Sequence, residues 1–107
     1  MAGALTVVYP DSPAVWLHLA YATRRMTGGS VNQAKAILLK KEPEFPQEFL
    51  YPFNLACYCS QLHEFKETGQ WLQKAMAIDK RRAKRMAMED EDLKPYWESQ
   101  AAALDKP

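Results

Sequence analysis

Cys57, Cys59 and His63 carry the side chains best suited to a soft metal ion, and they lie close together in the chain. On a helix, Cys59 and His63 are four residues apart and can share one ion. Cys57 and Cys59 would point about 200° apart around the axis. Cys57 therefore faces elsewhere, and no disulfide between the two cysteines is expected. A structural zinc site uses four ligands, and His18 is the only other histidine. Cysteines in such a setting read as small core residues; no metal is expected.

Lys80, Arg81, Arg82, Lys84 and Arg85 form the main charge cluster, a candidate phosphate-binding or nuclear-address segment. The acidic run Glu89, Asp90, Glu91, Asp92 follows at once, and Arg85–Glu89 has the spacing of a helical ion pair. The cluster lacks the interleaved aromatics that stack on single strands. It reads first as a solvated helix face. Catalysis has little support. Gly28 and Gly29 sit in no phosphate-binding motif, and Ser12, Ser30, Ser60 and Ser99 have no nucleophile context. The carboxylates cluster in the solvated run rather than beside apolar residues that would raise a pKa. Trp16, Trp71 and Trp97 read as core braces. Neither an enzyme nor a cofactor is expected.

The elements that would position these residues are helices. Ser12 and Pro13 open the first, with Val15, Trp16, Leu19, Ala20, Ala22, Thr23 and Met26 on an apolar face. Thr27, Gly28 and Gly29 stop it. Ser30 and Gln33 have the spacing of a capping box for a second helix. Ala34, Ile37, Leu38 and Lys41 face inward there, and Pro43 ends it. The third helix runs to about Gln61 and has two candidate starts. Either it begins at Pro46 and Pro52 kinks it, or 46–50 is a separate turn and regular helix begins near Tyr51–Pro52. A fourth helix spans about Glu64–Asp79, a fifth Arg81–Met88 and a sixth Leu93–Leu104, with Pro95 in the first turn of the last. Only Leu5–Tyr9 could form a strand. The fold class expected is all-α.

One small domain fits a chain of 107 residues. The formal charge of +1 makes no whole-protein field for nucleic acid. No apolar run approaches the ~18–20 residues of a membrane span, and the start lacks a basic signal head. A cytoplasmic location is the expectation.

Two helices that cross closely need small side chains at the crossing, and one such pair cannot bury its apolar face alone, so pairs stack. Residues 54–79 fit this pattern. Leu55 and Ala56 occupy the first helix, Phe65 follows the turn, and Leu72 and Ala75 lie on the second. A weaker upstream copy holds Trp16, Leu19 and Ala20, then Ala34 and Leu38, and ends at Pro46. The two copies resemble the tetratricopeptide repeat. Pro52, Cys59, His63, Thr68 and Lys80 stand where that pattern has tryptophan, tyrosine, the turn glycine, its first alanine and the terminal proline.

The resemblance implies a short α-solenoid over 12–104. Repeat one covers 12–46, repeat two 47–80, and 81–104 is a degenerate or capping segment; 1–11 is a lead-in and 105–107 a frayed tail. It further implies a non-catalytic protein-binding module with a concave groove. That groove would present Leu17, His18, Tyr21, Arg24 and Arg25 from repeat one, and Leu50, Phe53, Asn54, Cys57, Ser60 and Gln61 from repeat two. A terminal-carboxylate clamp is not indicated, because Leu17 and Tyr21 stand where the clamp has lysine and asparagine. The expected partner is another protein or peptide, with self-association through uncovered ends as a second expectation and Leu5–Tyr9 in that contact. The alternative functions are a nucleic-acid accessory protein using the Lys80–Arg85 cluster, less expected than protein binding, and a self-associating structural subunit of an assembly; no membrane partner is expected.

Overall fold

The computed structural model describes residues 12–25 and 30–104, with only the backbone of Arg25. Helix α1 spans Pro13–Arg25, α2 Val31–Lys41, α3 Leu50–Gln61, α4 Phe65–Ile78, α5 Lys80–Glu89 and α6 Lys94–Leu104. Short 3-10 turns occupy Glu42–Glu44 and Glu91–Leu93. No strand occurs among the described residues, so the fold is all-α. The Leu5–Tyr9 segment lies outside them.

Local chemistry sets most of the boundaries. Ser30 caps α2 by accepting a hydrogen bond from the Gln33 N–H at 3.2 Å. Of the two candidate starts for α3, the later one is observed. Residues 46–49 form turns, and Pro52 is the third residue of the helix. The first N–H groups of a helix have no intrahelical acceptor, so Pro52 breaks no bond and bends nothing. At the other end of α3, His63 takes φ 61°, in the left-handed region. The Glu64 N–H reaches the Cys59 carbonyl at 2.8 Å and the His63 N–H reaches Ser60 at 3.0 Å. This pair of bonds is a Schellman closure, in which glycine is the usual left-handed residue. Asp79 both ends α4 and caps α5, accepting from the Arg82 N–H at 3.1 Å.

Consecutive helices pack as far as α5: α1 on α2, α2 on α3, α3 on α4, α4 on α5. The Glu91–Leu93 turn and α6 fold back against α3, and α6 also meets α4. Small residues sit at these crossings. Ala20, Ala34, Ala56 and Ala75 are fully buried, as is Thr68, whose hydroxyl donates to the Glu64 carbonyl at 3.0 Å. That local bond lets a polar side chain fill an interior site without an unpaired group. Gly69 serves a similar close approach: a Cβ there would lie 3.2 Å from the Tyr96 hydroxyl of α6.

Two apolar clusters fill the stack. Ala20, Ala34, Leu38, Tyr51, Leu55 and Tyr58 join α1, α2 and one side of α3. Phe49, Phe53, Ala56, Cys57, Leu72, Ala75, Ala83, Ala87 and Leu93 join the other side of α3 to the C-terminal elements. Trp71 packs against both, and Lys41 lies 4.2 Å above the half-buried ring of Trp16. Two ion pairs tie α2 and its following turn to α4: Lys35 with Glu64 at 2.5 Å, and Lys74 with the buried Glu42. Leu19, expected on the packed face of α1, is 45% exposed. The packed side of α1 is the one that carries Trp16, Leu17 and Ala20.

Candidate interaction surface

α3 presents three lengthwise strips. Tyr51, Leu55 and Tyr58 are buried toward α1 and α2; Phe53, Ala56 and Cys57 are buried toward the C-terminal elements. Between them run Leu50, Asn54 and Gln61, spaced four and seven residues apart on one face and only half-buried. On α1, Leu17, Tyr21 and Arg24 share a similar strip, with His18 beside it. His18 and Tyr21 are exposed, and Leu17 is half-buried. The two helices meet at both ends. The Tyr51 hydroxyl donates to the Pro13 carbonyl at 2.8 Å, and the Arg24 guanidinium lies 5.9 Å from the centre of the Tyr58 ring. Burial pushes the Tyr51 phenol up to about 12, with Glu48 and Glu44 adding to the shift.

The groove expected from the sequence is therefore only partly open. Phe53, Cys57 and Ser60 are not accessible, because the C-terminal elements cover them. Leu93 packs in the same cluster as Phe53 and Cys57, and the Ser60 hydroxyl accepts the Tyr96 N–H at 3.2 Å. Arg24 turns inward to Asp92 at 3.2 Å. The Arg25 side chain lies outside the described residues. Leu17, His18, Tyr21, Leu50, Asn54 and Gln61 keep some access to solvent. The Gln61 Oε1 is buried and accepts no hydrogen bond.

Arg24 and Asp92 belong to a polar node that the sequence did not reveal. Cys57, Asp90 and Asp92 bring their ligand-type atoms within 4.8 Å of one another. The Cys57 thiol donates to Asp90 Oδ2 at 3.7 Å, and Asp90 Oδ1 accepts the Asp92 N–H at 2.9 Å. Burial, then the charges of Asp90 and Asp92, push the Cys57 thiol far above its ordinary range. With the Arg24–Asp92 pair, these bonds make a structural tie. It fastens the turn after α5 to α3 and α1. Burial likewise raises the Cys59 thiol, to about 11. Cys59 is fully buried while His63 is exposed beside Phe65, so the Cys59–His63 spacing yields no shared site.

The C-terminal half carries a second surface. Leu72 and Met76 of α4 and Ala83 and Ala87 of α5 floor a cleft of about 370 Å³ whose lining is almost wholly apolar. Lys84, Met88 and Trp97 form its rim. Trp97, expected as a core brace, is 41% exposed, and Met88 is 82% exposed. The Trp97 Nε1–H donates to the Ala87 carbonyl at 3.0 Å, which fixes the indole against the end of α5. The sequence signal for this cleft was Ala83 and Ala87 four residues apart, small residues on the helix that also carries the basic cluster. Within that cluster, Arg82 lies 4.5 Å over the Phe49 ring, and the expected Arg85–Glu89 pair is not formed. No helix among the described residues is long and apolar enough to cross a membrane. Comparison of the chain with protein-family models, with curated proteins and with solved structures gives no significant match.

Proposed function

We propose that this chain is a non-catalytic recognition module of tetratricopeptide type, which holds a segment of another protein along the neighbouring strips of α1 and α3. The observation that carries this reading is the half-open strip Leu50, Asn54, Gln61, which runs between two buried faces of α3. Its apolar end suits a side chain. Its two amides suit a peptide backbone, since an amide both donates and accepts. Tyr21 and His18 supply the facing wall.

Two features favour the repeat type. His63 takes the left-handed conformation at the position where the repeat pattern has glycine. The small positions Ala20, Ala34, Ala56, Thr68 and Ala75 have no exposed surface.

The test is selection from a random peptide display library with the whole chain as bait. Selected peptides are then titrated against wild type and a Tyr21→Ala/Asn54→Ala variant. The expected result is a set of binding peptides weakened about tenfold or more by the double change. Failure to enrich any peptide above a scrambled background would overturn the reading.

A further inference from the structure

The C-terminal cleft is separate from the α1–α3 strips, and its chemistry is more selective. Its floor of Leu72, Met76, Ala83 and Ala87 offers no polar group. The one indole N–H at its edge is already spent on the Ala87 carbonyl. An occupant that brings polar edges into it, such as a nucleobase, would leave them unpaired. An aliphatic or aromatic side chain would not. Charge around the cleft divides by position: Lys80 and Lys84 lie toward the start of α5, whereas Glu89, Glu91 and Glu98 gather around Met88 and Trp97. Lys84 borders the cleft, and Lys80 stands one turn earlier on the same face of α5. Lys80, Arg81, Lys84 and Arg85 are all exposed, and none of them makes an ion pair among the described residues. The α5 helix thus sets Lys80 and Lys84, neither of them ion-paired among the described residues, beside an apolar trough formed where α4, α5 and α6 converge.

We infer that this cleft docks an acidic amphipathic helix from another protein. Its apolar face seats between Met76 and Met88 against Trp97, and its Asp or Glu residues lie along Lys80 and Lys84. A trough between helices accepts a helix by its residues at i, i+3, i+4 and i+7. The flexible thioethers of Met76 and Met88 let the trough adjust to the anchors it receives. The charge division orients the ligand, with its acidic side toward Lys80 and Lys84 and away from Glu89, Glu91 and Glu98. Nothing in this assignment needs the α1–α3 strips, so the two surfaces stand or fall separately.

The probes are three dye-labelled, helix-forming 14-residue peptides followed by fluorescence anisotropy. One carries Leu at i, i+3, i+4, i+7, Glu along the side that would face Lys80 and Lys84, and Ala elsewhere; the second replaces Glu by Lys, the third Leu by Ser. The Glu/Leu peptide should bind, with affinity falling as salt rises, and the other two should not. Met88→Glu, at a side chain exposed enough to leave folding intact, should weaken binding at least about tenfold. Lys84→Glu should weaken it about two- to fivefold at low salt, and Tyr21→Ala/Asn54→Ala should leave it unchanged. The assignment is overturned if the Glu/Leu peptide fails to bind, or binds equally well to Met88→Glu. It is also overturned if Met88→Glu dissociates a dimer in sedimentation, which gives the cleft to a second copy, or if a thymidine oligonucleotide competes for it. Loss of the cleft result with retention of peptides selected on the α1–α3 strips leaves the proposed function standing.

Discussion

Arg24 of α1 pairs with Asp92, 68 residues along the chain, so substituting it should loosen the contact between α1 and the turn after α5. The pair closes at 3.2 Å with side chains 24% and 31% exposed. Fully exposed pairs contribute about 0.2–1 kcal/mol, and hydrogen bonds to charged groups about 1.5–3 kcal/mol. A half-buried pair falls between, so the coupling should be about 1 kcal/mol. The guanidinium also lies over Tyr58, adding roughly 0.5 kcal/mol. Removing Arg24 further leaves Asp90 and Asp92 as close neighbours without a cation between them and α1. Arg24→Ala should therefore destabilise by about 2 kcal/mol and lower the urea midpoint by about 1 M. A double-mutant cycle with Asp92→Ala, run by urea denaturation at low and at high salt, isolates the pair. Coupling near 1 kcal/mol that shrinks at about 1 M salt is expected. Additivity within about 0.3 kcal/mol would refute the tether.

Other expected outcomes follow from single residues. Asp79→Ala removes the α5 cap and should cost about 1 kcal/mol in thermal or urea unfolding, while Asp79→Asn should retain most of it. His63→Gly should raise stability by about 0.5–1 kcal/mol by relieving the left-handed backbone, whereas His63→Val should lower it. The Tyr51 phenol is raised in the folded state, so its neutral form stabilises fully below the ordinary value near 10. That contribution drains away as pH rises from about 10 toward 12, because the unfolded chain loses the proton first. Tyr51→Phe should flatten the alkaline decline while lowering neutral-pH stability by about 1 kcal/mol through the lost bond to Pro13.

What the sequence made legible was local. Ser30 and the prolines act within one turn of themselves, and their signals held in the structure: Ser30 caps α2, and Pro95 lies in the first turn of α6. The ambiguity at Pro52 was also local, and its resolution is a rule about helix ends: a proline in the first turn removes a donor that has no acceptor. The missed features are those in which distant segments meet. Nothing near Phe53, Cys57 or Ser60 tells that residues 90–96 will lie over them, and apolar periodicity cannot say which of two buried faces is covered by what. Trp97 was misplaced for the same reason, since a tryptophan on a short helix is a brace or a rim depending on what stands opposite. Asp90 and Asp92 read as part of a solvated run, but their positions relative to Cys57 and Arg24 exist only in three dimensions.

The central claim is that partner recognition uses the neighbouring strips of α1 and α3. Hydrogen exchange of the whole chain, with and without a peptide selected on it, tests this most directly. The account predicts peptide-dependent protection in α1 around Leu17–Tyr21 and in α3 around Leu50–Gln61, with α6 unchanged. Protection absent from both helices, or confined to α5 and α6, would contradict it.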